Sequence, residues 1–257
     1  PTAHFGRRET GNKRLLLIPQ ALLLRAGVDA RLEQHRVHRL AQVVVGAQLR
    51  AGDLPLAIGA SDYPPPLDLS PKAEALARVF EKLPSVKTNA LRPRLGLAWR
   101  AGAPQSSAGF GTNRLLCKQV PLAQLLETLA PMNVDIVVLQ RNPQPEELLD
   151  IERASGTDRY LNASALDQDL EELLALLPCL DSLVGVSNTN VHLMAAMGKG
   201  GFILAPYPPE FRWQFEGEHS PWFAHFSVLR QTAQGDWGAA LAQLHAQLYT
   251  RFPPTAA

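Results

Sequence analysis

Apolar and polar positions change their rhythm partway along the chain. From Arg94 onward, short unbroken apolar runs alternate with longer segments whose apolar positions recur every three or four residues. The unbroken runs predict strands at Arg94–Trp99 (RLGLAW), Asp135–Leu139 (DIVVL), Leu183–Val186 and Phe202–Leu204. Arg159–Leu161 and Val228–Leu229 read as shorter, weaker strands. DIVVL shows no alternation, which predicts a strand buried on both faces. The helical spacing predicts helices over Pro121–Leu129, Pro145–Ala154, Leu166–Leu177, Thr189–Met197 and Asp236–Leu248. Asp167 and Asp169 lie near the positive end of the third of these.

Before Arg94 the pattern is looser. Pro1–Asn12 is polar and irregular. Arg14–Ile18 reads as a strand, Val28–Leu49 as a helix running into a strand, and Leu54–Ile58 as a short strand. Pro64-Pro65-Pro66 can continue neither a helix nor a central strand, so an extended connection follows. A helix is expected over Ser70–Leu83, with Ser70 as N-cap and Pro71 at N1. Strands alternating with helices predict an α/β fold with a doubly wound parallel sheet. The expected division is a reduced N-terminal α/β lobe over 1–90 and a Rossmann-like lobe over 91–257.

Composition narrows the functional classes. The chain has 257 residues, 46% apolar and 19% charged, with a formal net charge of +1. That is an ordinary globular composition with no field that would draw nucleic acid. The basic pairs Arg7-Arg8 and Arg92-Pro93-Arg94 are short and read as solvated faces. No apolar run reaches the roughly 20 residues that span a bilayer. LLLIPQALLLR (15–25) is interrupted by Pro19 and Gln20 and reads as a buried element rather than a signal sequence. Cys117 and Cys179 are far apart, without a CxxC pattern, and read as inert thiols in a reducing compartment.

Three stretches leave strands at the edge where a doubly wound sheet binds ligands. The first is Trp99-Arg100-Ala101-Gly102 and the small residues after it to Gly111, a long flexible turn in which Arg100 can neutralise an anion. The second is Gln140-Arg141, a donor and a cation directly after DIVVL. The third is Ser187-Asn188-Thr189-Asn190, which precedes a helix. One of the four must cap that helix; four consecutive hydrogen-bonding side chains exceed what a cap needs and suit a phosphate at the helix start. His192, in the first turn, is either a packed histidine or a ligand contact. Tyr207, Phe211, Trp213, Trp222 and Phe223 crowd one Pro-rich loop, as core residues or as a stacking wall. Glu210, Glu216, Glu218 and His219, like Glu33, His35 and His38, match no metal spacing. GxSxG, HExxH and Walker motifs are absent from the sequence.

VSNTNVHLMAAMGKGGFILAP, with FRWQFEGEHSPWF and VLRQ after it, resembles the C-terminal half of bacterial GT-B glycosyltransferase-like domains. Such domains are often fused to tetratricopeptide repeats and are distantly similar to lipopolysaccharide heptosyltransferases. RLGLAWRAG and VPLAQLLETLAPMNVDIVVLQR resemble the preceding strand, helix and strand of that half. The resemblance covers about Arg94 to Leu248. It implies a GT-B-like fold whose C-terminal lobe holds a nucleotide-diphosphate sugar. Trp99, Arg100, Ala101 and Gly102 would face the diphosphate, Gln140 and Arg141 would follow the second strand, and Ser187, Asn188, Thr189, Asn190 and His192 would meet diphosphate and sugar. It implies no cofactor and no metal, because basic side chains and a helix dipole neutralise the leaving diphosphate. The expected location is cytoplasmic, and the acceptor, protein or glycan, is unassigned.

The chain also departs from that pattern. Relatives often open the N-terminal half with a Gly-rich EQGxGD-like turn, absent from 1–90, and often carry Asp near the position of Ser187. Two readings therefore stand: a metal-independent glycosyltransferase, or a catalytically degenerate homologue acting as a binding or scaffolding partner. The short N-lobe leaves a place for a partner chain or a second copy, and the catalytic base is unassigned.

Overall fold

A computed structural model describes residues 69–83, 85, 92–102, 117–220 and 222–253, leaving the side chain of Cys117 undescribed. The strands and helix expected before Leu69 lie outside the described residues. The described residues belong to one unit, Tyr63–Ala257.

The elements in chain order are α1 (Ala73–Lys82), β1 (Arg94–Ala98), β2 (Arg100–Gly102), β3 (Cys117–Gln119), α2 (Leu122–Leu129), β4 (Asp135–Val138), α3 (Pro145–Ser155), β5 (Tyr160–Asn162), α4 (Leu170–Leu176), β6 (Ser182–Gly185), α5 (Thr189–Ala196), β7 (Gly201–Ala205), β8 (Phe226–Arg230) and α6 (Gly238–Arg251). Six strands form one sheet in the order β5-β4-β1-β6-β7-β8, and every pair is parallel. This is the α/β doubly wound architecture that the alternating pattern predicts. The order turns back at β1: β4 and β5 extend the sheet on one side, and β6, β7 and β8 on the other. The topological switch point lies between the carboxyl ends of β1 and β6.

Both faces of the sheet are covered, which is why its strands lack alternation. On one face Leu95, Leu97, Trp99, Ile136, Val138, Val184 and Leu204 pack with Leu125 and Leu129 of α2, Ile151 of α3, and Leu241, Leu244 and Leu248 of α6. On the other, Val137, Leu139, Leu183, Ile203 and Phe226 pack with Val79 of α1, Leu173 and Leu176 of α4, and Val191 and Met194 of α5. Side chains at i and i+2 share a face, so β4, β6, β7 and β8 each feed both cores. Full burial of one such aliphatic side chain contributes about 1.5–3 kcal/mol.

The structure corrects four local expectations. The N-cap of α1 is Lys72, not Ser70, and its side chain caps nothing; Pro71 therefore stands before the helix rather than at N1. The single helix expected over Leu166–Leu177 is divided. A 3₁₀ turn spans Ser164–Gln168, and Asp169 is extended at φ −125°, where its carboxylate accepts from the N–H groups of Glu171 and Glu172. An aspartate that can satisfy two free N–H groups starts a helix better than it continues one. Finally, the turn after Trp99 is not irregular throughout. Arg100–Gly102 pairs antiparallel with Cys117–Gln119. The weak strand at Val228–Leu229 is a full one, Phe226–Arg230, registered on β7 along its length.

Candidate functional site

Backbone geometry brings the ends of β1 and β6 side by side. Ala98 pairs with Gly185, and the Val186 N–H donates to the Ala98 carbonyl at 3.1 Å. Trp99 leaves β1 fully buried, and its carbonyl accepts from Val120 at 2.9 Å. The short β2–β3 ladder then rises from this edge. It carries Lys118 to β6, where the ammonium donates to the Ser187 carbonyl at 3.2 Å.

Ser187 closes β6 and is 2% exposed. Asn188 is the N-cap of α5, and its Oδ1 accepts from the Val191 N–H at 3.2 Å. Thr189 stands exposed in the first turn. Asn190 is buried, with Nδ2 donating to the Leu139 carbonyl at 3.0 Å; its Oδ1 finds no hydrogen-bond partner among the described residues. One of the four polar residues caps, one ties α5 to the end of β4, one is sealed, and one is left to solvent.

A cluster of charge stands beside them. Glu210, from the loop between β7 and β8, accepts from Ser187 Oγ at 2.8 Å and pairs with Lys118. Arg212 lies 3.6 Å from the same carboxylate, and its guanidinium covers the Phe211 ring at 4.5 Å. Desolvation works to raise the Glu210 carboxyl. Hydrogen bonds from Lys118 and Ser187, with the charges of Lys118 and Arg212, outweigh it and hold the group below the ordinary carboxylate value. His192 stacks on Phe223 at 5.3 Å. Its Nε2 is buried with no partner among the described residues. Desolvation above all, then Arg212 and Lys118 against the opposing Glu210, lowers its pKa, so it is neutral near pH 7.

The remaining sequence candidates sit on the β4 side. Gln140 is buried, and its Oε1 accepts from the Arg100 N–H at 2.9 Å. The Arg100 side chain turns toward α3, with Nη2 donating to the Asn142 carbonyl at 2.8 Å and lying 2.9 Å from Glu147 Oε2. Its Nη1 is a buried donor with no partner among the described residues. Ala101 is half-buried in the ladder, and Gly102 ends the described part of the turn. Arg141 is 69% exposed and lies 3.3 Å from Asp167. The structure thus brings Trp99, Arg100 and Gln140 together at one end of β1, and Ser187 to His192 together at the end of β6. Arg141 stands apart, facing the turn after β5.

Lys118 and Arg212 were not singled out by sequence. Lys118 comes after a stretch without a readable pattern, and Arg212 sits among aromatics. The available signal was Glu210, whose carboxylate requires cations once it is half-buried. Among the described residues no group of three or more His, Cys, Asp or Glu side chains is placed to hold a metal ion. Nor is any described helix long and apolar enough to cross a membrane.

No protein-family profile matches the chain, and no curated protein does. Among solved structures it is similar to a family 9 glycosyl transferase from Veillonella parvula, at 12% identity and a TM-score of 0.48, over 77% of this chain and 58% of that one. It is similar to E. coli ADP-heptose lipopolysaccharide heptosyltransferase II at 16% identity and 0.45, over 72% and 54%. It is also similar to the E. coli heptosyltransferase WaaC with ADP-2-deoxy-2-fluoro heptose at 15% and 0.39, over 77% and 53%. The chain spans little more than half the length of each. At these scores the likeness carries no weight, and the site's own geometry bears the functional reading.

Proposed function

We propose that the carboxyl edge at the β1–β6 switch point binds a nucleotide-diphosphate sugar and that the chain serves glycosyl transfer without a metal. The observation that carries the reading is the convergence of Lys118, Arg212 and Ser187, just before the N-terminus of α5, on Glu210, at the one place where the strand order reverses. A diphosphate there would meet two cations, a hydroxyl and the positive end of a helix. The sequence resemblance of SNTNVH and RLGLAWRAG to GT-B glycosyltransferase-like domains points the same way.

In such a transfer the bond from the sugar's anomeric carbon to the β-phosphate oxygen breaks. The acceptor oxygen bonds to that carbon and gives up its proton, and negative charge grows on the diphosphate. Lys118 and Arg212 would stabilise that charge as it develops. Trp99, Gln140 and Asn190 would hold the ends of β1, β4 and α5 in register beneath the ligand. Asn188 and Thr189 would present the first turn of α5 to the sugar-bearing phosphate. Arg141 would contact a ligand only beyond β4, on the outer part of the edge.

A second reading is favoured by the exposed aromatics of the β7–β8 loop, Tyr207, Phe211 and Phe215. They suit a partner surface, as in a homologue that binds without catalysis. Calorimetry with a panel of nucleotide-diphosphate sugars separates the cases. The transferase reading expects heat from at least one donor, a loss of about tenfold or more in affinity with Lys118→Met, and turnover with an acceptor glycan. Silence from the whole panel in a folded sample would sink it.

A further inference from the structure

The β7–β8 loop reaches Ser187, just before α5, through Glu210. Glu210 receives a hydrogen bond from Ser187 and pairs with Lys118, while Arg212 stands 3.6 Å away. The side chains of Glu210 and Lys118 are only 20% and 16% exposed, so the pair is shielded from bulk water. Two cations and a hydroxyl at a helix start are the donor set a phosphoryl group takes. Here a carboxylate of the same chain holds it.

The segment carrying Glu210 is tied down rather than free. The Trp213 N–H donates to the Glu210 carbonyl at 2.9 Å. Arg230 grips the next stretch of the loop, donating to the carbonyls of Trp213, Gln214, Glu216 and Gly217 at 2.6–2.9 Å. Phe223, near the end of the same loop, stacks over His192, whose Nε2 is buried with no partner among the described residues. Contact at Glu210 and cover at His192 are made by one loop.

We propose that Glu210 is an internal occupant of this anion site, a latch that holds Lys118 and Ser187 until an anionic ligand displaces its carboxylate. The inference rests on the diphosphate reading for what the ligand is. One ammonium cannot serve two anions at full strength, and a tethered carboxylate competes at the high effective concentration of an intramolecular group. A phosphate arriving beside the carboxylate is also repelled by it. Removing the charge while keeping the shape removes both penalties. A purely structural Glu210 would behave otherwise, and its neutral variant would loosen the loop without improving anion binding.

The test uses the full chain as wild type, Glu210→Gln, Glu210→Ala and the double variant Glu210→Gln/Lys118→Met. Each is titrated calorimetrically with inorganic pyrophosphate. In parallel, the rate of His192 modification by diethyl pyrocarbonate is read by peptide mass spectrometry, without any ligand. The latch expects Glu210→Gln and Glu210→Ala to bind pyrophosphate about tenfold tighter than wild type. It expects Lys118→Met to abolish that gain, and His192 to react several-fold faster in both single variants. Equal or weaker binding in folded single variants overturns it, as does a gain that survives Lys118→Met. If no form binds pyrophosphate, the latch falls together with the diphosphate reading, and a faster His192 rate in the single variants then marks Glu210 as a structural tie of the loop. Wild type binding as tightly as the variants overturns the latch alone.

Discussion

The indole N–H of Trp99 donates to Oε1 of Glu147 at 2.9 Å, tying the buried end of β1 to the first turn of α3. The other carboxylate oxygen lies 2.9 Å from Arg100 Nη2 and accepts from the Gln144 N–H at 2.8 Å, closing the capping box of α3. One side chain thus satisfies a buried donor, a cation and a helix end. Glu147→Ala removes all three partners and should cost about 2–3 kcal/mol in urea unfolding. Glu147→Gln keeps an acceptor for Trp99 and should cost about 1 kcal/mol. Equal losses for the two would mean that the indole bond contributes little.

Gly201 begins β7 against the backbone of β6. A Cβ there would lie 2.2 Å from the Leu183 carbonyl oxygen. Backbone cannot rotate away as a side chain can, so Gly201→Ala should cost about 3 kcal/mol or more through overpacking. Gly217, with φ at +84°, offers the contrast, because its nearest neighbour to an added Cβ is 3.8 Å away. Gly217→Ala should cost only the strain of its backbone, about 1 kcal/mol. Thermal unfolding of the two variants ranks them.

Stability should fall with acid in two separate steps. His192 is held neutral by burial, with its pKa lowered from 6.5. The unfolded chain therefore takes up this proton before the folded one, and stability declines as pH falls below about 6.5. His192→Gln should remove that step from a plot of urea midpoint against pH. Glu210 and Glu172 are lowered from 4.5. Their contributions are complete above about 4.5 and disappear as pH falls through their folded values. A single acid transition below pH 4.5 in the wild type, with no earlier slope, would rule out the histidine step.

Glu172 joins α4 to α1. It is buried and accepts from Lys82 at 2.7 and 2.6 Å and from Arg78 at 3.1 Å. Its partners are about half exposed and can return to water, so the full cost of an orphaned charge does not apply. Glu172→Ala should cost about 1–2 kcal/mol. Hydrogen exchange should show α1 releasing first, because it is then left with the buried Ala75 and Val79, the half-buried Leu76 and Phe80, and exposed ion pairs at Lys72 and Arg78.

The four carbonyls gripped by Arg230 predict a result specific to a forked donor. Arg230→Lys should fare nearly as badly as Arg230→Met, because one ammonium cannot reach all four. Limited proteolysis should cut within 206–223 several-fold faster in both variants. Rescue by lysine would show that charge, rather than geometry, holds the loop.

Much of the fold is legible in residue order because burial on both faces leaves a local trace. DIVVL and SLVGV are apolar at consecutive positions, and the helices between them keep a 3.6-residue period. The carboxyl-edge positions of Trp99, Gln140 and Ser187 emerge once those strands are found. The Asp169 break is also a local signal, overridden in the periodic reading by the apolar spacing on either side.

Other features have no local trace. β2 and β3 are three residues each, and they exist because they pair with one another across 103–116. Lys118, Ser187 and Glu210 come from three separate connections, and nothing near any one of them names the others. Their meeting depends on β6 taking its place beside β1, a choice made by how the crossovers pack both cores. Periodicity records whether a residue faces protein or water, so the chain alone determines its strands, its helices and the edge where ligands belong. Which charges meet at that edge is set by non-local pairing, and only the folded sheet decides it. That is where Glu210 finds the two cations and the hydroxyl that an anion would otherwise take.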